Sequence, residues 1–361
     1  MRNRHYTIPI FVPQEGCPFK CIYCNQYTIT GSKEDINPDY VEKTINGFLK
    51  TIPENSYVEV GFFGGSFTGI PVSRQIELLS VAKKYMESGV VKGIRLSTRP
   101  DYIDNEILEN LQRCGVTAIE LGVQSMDDDV LSASYRGHTS EDTMRAVNLI
   151  KKYPFKLGLQ MMVGLPKDNY YKDIKTAKDI IAMRADFVRI YPTLVIKNTY
   201  LEKLYREYRY KPLTIPEAVK ICKDIMLLFT ANDIPIIRLG LQTSKNINQN
   251  SDVVAGPFIP NFGELVESEL IQDMILYYLH GDMRGKVLFF TINPLMMSKF
   301  VGYKKQNIEV IKQVLDCELT ILLDKQLGED EIKVEYGDSC DIFNKKKYAM
   351  DVIKEGIIDL A

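Results

Sequence analysis

Between residues 6 and 193, short apolar runs alternate six times with amphipathic stretches of helical period, and this rhythm restricts the chain to few folds. The runs at 6–13, 57–65, 92–98, 116–125, 155–166 and 185–193 read as strands. The stretches at 38–52, 73–87, 104–115, 142–153 and 171–183 read as the helices between them. Local punctuation agrees. Asn37 and Pro38 stand where an N-cap and a first helical residue belong, and Gly115 stands where a helix stops. Strands alternating with helices imply a parallel sheet with its helices outside. Six units are too few to close an eight-fold barrel. The expected α/β fold is therefore a partial (β/α)6 barrel of the TIM type, with ligands gathered at the C-terminal ends of the strands.

After residue 194 the rhythm changes. Two consecutive helices, "TYLEKLYREYRY" and "IPEAVKICKDIMLLFTAN", lead to a short strand at 234–242. A loop at 243–261, rich in Asn, Ser, Gly and Pro, reads as a crossing segment or boundary. Beyond it a helix, a strand, a helix and two strands predict a small C-terminal α+β domain. The expected division is a core over 1–242 and a second domain over 243–361.

The totals exclude several classes. No run of eighteen apolar residues exists, so no transmembrane helix or membrane partner is expected. The start, "MRNRHYTIPIFVPQEG", is basic but reaches Pro and Glu too early for a signal peptide, which makes a cytoplasmic enzyme the expectation. A net charge of −2 and a pI of about 6.1 do not announce nucleic-acid binding. Cys114, Cys222, Cys317 and Cys340 are scattered and read as buried or inert thiols rather than a disulfide framework.

The other three cysteines lie together in "GCPFKCIYCNQ" (16–26), in the loop after the first strand: Cys17, Cys21 and Cys24, spaced C-x3-C-x2-C. A zinc site would need a fourth ligand. The histidines are His5, His138 and His280, and His5, the nearest in sequence, lies a strand length away. An iron–sulfur cluster explains the set better, because thiolates are its ligands. Three thiolates on a four-iron cluster leave one iron open, as a catalytic zinc keeps an open position. The amino and carboxylate groups of S-adenosylmethionine can fill it, and one electron from the cluster then cleaves a carbon–sulfur bond to give a 5′-deoxyadenosyl radical. The motif, with an aromatic just before its last cysteine, resembles the signature of the radical S-adenosylmethionine superfamily.

That resemblance assigns expectations to further residues. Gly64 and Gly65, ending the second strand, match the glycine motif that contacts the methionine amino group, with Ser66 beside them. Tyr23 is an expected packing partner for the adenine. Gln124, at the mouth of the fourth strand and in parity with Glu120, matches a ribose contact. Arg136, in "SYRGHT", suits the S-adenosylmethionine carboxylate by a charge-assisted bond. Thr98 and Arg99 end the third strand, where Arg99 faces either the cluster and substrate as a catalytic group or pairs with Asp101. Gln160 and Met162 alternate with Met161, so one set faces the barrel interior; Gln160 is carried as a cofactor contact, and core packing stands equal to function for both methionines. His138 ranks lower, as a capping or solvated residue.

"GGSFTGIP", "STRPDYID", "IELGVQSMDDDVL", "YRGHT" and "RIYPTLVIKNTYLEKLYREYRY", in this order, further resemble the radical core of the Elongator catalytic subunit, a tRNA wobble-uridine enzyme, from about residue 5 to about 240. Two departures are visible: the cysteines keep the compact general spacing, and the residues after 261 show no recognisable acyl-CoA loop. The likeness is closer to stand-alone bacterial Elongator-like proteins without the acetyltransferase domain. It implies a radical enzyme acting on tRNA or other RNA and fed by an electron donor such as flavodoxin or ferredoxin. A radical enzyme of a small molecule or protein, and a non-enzymatic Fe–S protein, are the alternatives. Within "KNTYLEKLYREYRYK" (197–211), Lys197, Lys203, Arg206, Arg209 and Lys211 interleave with tyrosines. The stretch reads either as a phosphate- and base-gripping segment or as an amphipathic helix with Leu201, Leu204, Tyr205 and Tyr208 on its apolar face. Glu264 and Glu267 read as a solvated helix face.

Overall fold

The computed structural model describes residues 5–12, 17, 21–25, 36–241, 252–280 and 283–358. Residues 16, 18–20 and 26 of the cysteine loop, and much of the expected boundary loop after 242, lie outside the described residues.

Strands β1 (His5–Val12), β2 (Tyr57–Gly64), β3 (Gly93–Thr98), β4 (Ala118–Gln124), β5 (Lys156–Val163), β6 (Phe187–Pro192) and β8 (Ile236–Leu239) form one parallel sheet in that order. The connecting helices are α1 (Pro38–Leu49), α2 (Val72–Glu87), α3 (Asn105–Arg113), the short α4 (Asp128–Ala133), α5 (Ser140–Ile150) and α6 (Tyr170–Ala182). Right-handed crossovers between strands that pair in chain order place every helix on the same face, so the sheet curls into an open half-barrel. The capping residues act as expected: Asn37 accepts from the Tyr40 amide, and Gly115 takes a positive φ after α3.

The sheet has seven strands, one more than the alternation predicts. The segment read as an isolated strand at 234–242 docks as β8 beside β6. Its unit is hard to see because the two-residue strand β7 (Val195–Ile196) and helix α7 (Tyr200–Arg206) are inserted before the true crossover helix α8 (Ile215–Ala231). β7 pairs with β9 (Val253–Ala255).

Helix α9 (Phe262–Tyr278) leads into a second, mixed sheet of β10 (Val287–Ile292), β11 (Glu318–Leu323), β12 (Glu331–Tyr336) and β13 (Ser339–Asn344), in the order β11-β10-β12-β13, with α10 (Met297–Val301) and α11 (Gln306–Leu315) between β10 and β11. β12 and β13 form a hairpin closed by Gly337 and Asp338. Helix α12 (Lys345–Lys354) then returns to pack on α8. One apolar core runs through both sheets, from Ile8 to Ile358. Glu267 is not a solvated carboxylate: it pairs with Lys299 at 2.6 Å and Lys345 at 3.6 Å, tying α9 to α10 and α12. Cys114, Cys222 and Cys317 are buried as expected, whereas Cys340 is exposed on β13.

Side-chain parity divides the barrel sheet. Val60 on β2, Leu96 on β3, Ile119 and Leu121 on β4 and Met161 on β5 point to the helices and are fully buried. The opposite parity lines the concave face and is polar: Glu59, Arg95, Glu120, Gln124, Gln160 and Arg189.

Candidate active site

The C-terminal ends of β1, β2, β4 and β5 bring most of the expected residues together. Cys17 follows β1, and its Sγ lies 3.4 Å from Ser66 Oγ. The Gly65 amide donates to the Val12 carbonyl at 3.0 Å, fixing the end of β2 against β1. Gly64, φ +108°, adopts a backbone that side chains disfavour, which lets the chain turn beneath this point.

Cys21 and Cys24 sit on a tight turn in which the Cys24 amide donates to the Cys21 carbonyl at 3.0 Å. The turn is stapled on both sides: the Ile22 amide donates to the Ser134 carbonyl at 3.2 Å, and the Leu201 amide to the Ile22 carbonyl at 2.8 Å. Ile22 is buried with Val195, Leu201 and Tyr210, and Tyr23 packs against the same cluster. The Tyr23 phenol is pushed well up by burial and by the neighbouring Cys21 and Cys24 thiols, against the opposing pull of Arg136.

Arg136 is the keystone of this loop. Its Nη1 donates to Cys21 Sγ at 3.4 Å and its Nη2 to the Gly122 carbonyl at 2.6 Å. Burial opposes its charge, but the neighbouring Tyr23 and Cys21 hold it above the ordinary guanidinium value. Gly122 makes this approach possible. A Cβ there would stand 2.7 Å from Arg136 Nη2 and 2.8 Å from Gln124 Nε2. One residue on, the pairing of β4 with β5 slips, and Gln124 takes φ +68°. Gln160 Nε2 donates to Gln124 Oε1 at 3.1 Å, so the two glutamines form one polar edge at the mouth. Met162 shares the parity of Gln160, and Met161 belongs to the core.

Other expected residues have structural partners. Arg99, 2% exposed, is bound bidentately to Asp101 at 2.9 Å through Nε and Nη2, the pairing weighed against a catalytic role above. Thr98 shares a 2.6 Å hydrogen bond with Thr68, which donates to the Tyr102 carbonyl at 2.8 Å. His138 is neither solvated nor a cap. It is buried with Nε2 3.3 Å from the Val123 carbonyl, and burial together with Arg136 and Arg99 pushes it down to about 3, so it is neutral.

Two features escaped the sequence reading. On the concave face Arg95 lies between Glu59 (3.4 Å) and Glu120 (3.6 Å), Glu120 pairs with Arg189 at 2.6 Å, and Glu59 meets His5 at 2.8 Å. This network plugs the barrel below the mouth. Its signal was one charged residue of the same parity within each of "YVEVG", "IRLS", "IELG" and "FVRIY". The second feature is a carboxyl pair under the β5–α6 turn. Burial pushes Asp168 up to about 6, and burial plus Asp168 pushes Asp173 well up, so Asp173 keeps the shared proton. Asp168 also accepts from the Asn169 amide at 2.9 Å.

The thiol set and its surroundings match a family. The model of the radical SAM superfamily matches residues 11–180, and that of the radical SAM C-terminal domain matches residues 185–272. The chain belongs to the radical S-adenosylmethionine superfamily and is an enzyme of that class. Among curated relatives it is 35% identical over 263 residues to the tRNA uridine(34) acetyltransferase of Methanocaldococcus jannaschii, covering 61% of this chain and 49% of that one. It is 36% identical over 152 residues to human Elongator complex protein 3, covering 41% and 28%. The chain thus spans half or less of the length of these relatives. The archaeal Methanocaldococcus infernus Elp3 structure has the same fold, with a TM-score of 0.59 at 20% identity over 92% of this chain and 74% of that one.

Enzymes of this superfamily use a 4Fe–4S cluster and S-adenosylmethionine, and the site suits both. Cys17, Cys21 and Cys24 would hold the cluster. Burial and the other two thiols push the Cys24 thiol up to about 12, a cost that coordination to the iron of a bound cluster would reverse. Arg136 Nε is buried without a partner, on the residue already touching Cys21, which leaves a donor for an anionic group. When bound, the pair supplies one-electron cleavage of a sulfonium, which no side chain here can perform. The protein's own share is placement: Arg136 orients Cys21, the β2 glycines let backbone approach, and the Gln124–Gln160 edge offers hydrogen bonds at the rim.

Proposed function

We propose that this radical enzyme modifies tRNA or other RNA, using an external one-electron donor, in the cytoplasm. The observation that carries the reading is the 35% identity to a tRNA uridine(34) acetyltransferase over 263 residues, which covers 61% of this chain. In this reading Tyr23, Gly64, Gly65, Ser66, Gln124, Arg136 and Gln160 contact S-adenosylmethionine. Thr98 and Arg99 are positioning residues in this reading, because the Thr98 hydroxyl pairs with Thr68 and Arg99 Nε and Nη2 pair with Asp101. Among the described residues no helix is long and apolar enough to cross a membrane. Comparing the modified nucleosides of tRNA and rRNA from cells with and without the gene tests the proposal. Loss of one nucleoside is expected; an unchanged profile in both RNAs overturns it.

A second reading, a small-molecule or protein substrate, draws on the net charge of −2 and on the stretch 197–211. There Glu202 holds Arg206 at 2.6 Å and Glu207 holds Arg209 at 3.1 Å, while Tyr208 is not on an apolar helix face but 97% exposed beyond the end of α7. An RNA titration over a salt series separates the readings, since phosphate contacts give a steep salt slope.

A further inference from the structure

Beside the thiols, on the outer flank of their loop, lies a pair of tyrosines that the site does not use. Tyr135 and Tyr200 stack with ring centroids 5.7 Å apart and 23° between planes, and they are 54% and 39% exposed. Tyr135 holds a left-handed backbone, φ +53°, a conformation that a bulky residue disfavours. Lys203 Nζ sits 5.9 Å over the Tyr200 ring, and Arg209, held by Glu207, lies against the same tyrosine. The surrounding stretch 197–211 carries five cations against two carboxylates, in a chain that is negative overall.

This patch is fastened to the thiol loop by short links. Ser134 and Leu201, the neighbours of the two tyrosines, both bond the backbone of Ile22, and Arg136, next after Tyr135, donates to Cys21 Sγ. Tyr135 is therefore one residue along the chain from the guanidinium that touches Cys21. Electron tunnelling falls steeply with distance, so an electron from outside enters best where so little protein intervenes.

We propose that Tyr135, Tyr200, Lys203 and Arg209 form the docking surface for a small acidic flavoprotein that reduces the cluster. The proposal rests on the one-electron chemistry of the superfamily and not on the RNA reading. A flat aromatic platform accepts the exposed edge of a flavin, and the cations match carboxylates around it. A net of three positive charges, on side chains that mostly have carboxylate partners, suits a small transient redox interface better than a nucleic-acid grip. In the encounter the anionic flavin hydroquinone gives up one electron to become the neutral semiquinone, the oxidised cluster gains it, and no bond or proton changes hands.

The test uses the cluster-loaded enzyme and a bacterial flavodoxin. Calorimetric titration with oxidised flavodoxin over a salt series gives the Kd. Release of 5′-deoxyadenosine is then followed with either flavodoxin hydroquinone or dithionite as reductant. In K203E/R209E, and in Y135A/Y200A, the Kd is expected to rise about tenfold or more. The flavodoxin-driven rate at limiting donor should fall by a similar factor, and the dithionite-driven rate should stay within about twofold. An unchanged Kd in both variants overturns the proposal. So does an equal loss with both reductants, which would make the patch a mere support of the thiol loop. Weakened tRNA binding with flavodoxin binding intact also overturns it, assigning the surface to RNA.

Discussion

The two faces of the barrel sheet are made by the same seven strands, yet they are held by different forces. The helix-facing parity buries Val60, Leu96, Leu121 and Met161 completely, and this apolar area drives the fold. The concave parity buries Glu59, Arg95 and Glu120 and half-buries Arg189, and their attraction roughly offsets the cost of taking them out of water. Stability therefore resides on one face, and the other keeps a polar, shaped space for chemistry. In a closed eight-stranded barrel, by contrast, the interior is filled by branched apolar side chains.

The largest effect lies at the rim of the concave face. Cys21→Ala is expected to abolish bound iron and to bring 5′-deoxyadenosine release to background while circular dichroism stays native; persistent release would also revive the possibility that the thiols are not cluster ligands. Next is Glu120→Ala, which takes away the carboxylate partner of Arg189 and leaves Arg95 with Glu59 alone, and is expected to cost about 3–5 kcal/mol in urea unfolding. Replacing Glu120 and Arg189 together by methionine should recover most of that loss. Failure of the rescue would mean that the charges, and not only the packing, hold this face. Leu121→Ala, one residue away on the opposite face, is expected to cost about 2–5 kcal/mol, with no partner substitution that restores it.

Gly122→Ala is milder, because the new methyl would meet the far ends of Arg136 and Gln124 rather than backbone. About 1–3 kcal/mol of stability is expected to be lost, and S-adenosylmethionine binding, read by equilibrium dialysis, should weaken more than the fold does. The smallest effect is Asp168→Asn. The folded pair holds its protons above the range in which unfolded carboxyls ionise. Native stability therefore declines as pH rises from about 4 through the raised folded value near 6. The variant should match the wild type at pH 4 and exceed it by on the order of 1 kcal/mol at pH 8. A constant difference across pH would show that the carboxyl pair does not titrate in this window.

Much of this architecture is legible from the residues alone. The parallel strands, their order and the position of the thiol loop follow from apolar period, Asn37, Pro38 and Gly115. β8 is obscured because an inserted strand and helix break the rhythm before α8. β13 is obscured because Ser339 and Asp341 share the parity of its one buried residue, Phe343, so no apolar alternation shows, although the Gly337–Asp338 pair is an ordinary hairpin signal. In the site, residue types pointed to the right loop ends, but partners are three-dimensional facts. Nothing in "TRPDY" decides whether Arg99 looks inward or toward Asp101. Gly122 looked like any strand glycine until Arg136 and Gln124 converged on it.

Helix α12 has a bearing on the order in which this protein acquires its shape. It covers part of α8, whose buried residues run from Ala218 to Phe229 around much of its circumference. A chain emerging from the ribosome presents the first six barrel strands early, but α8 keeps an uncovered apolar flank until residues 345–354 follow it out. During that interval more than a hundred residues must be made, and the incomplete barrel is a natural client for a holdase chaperone.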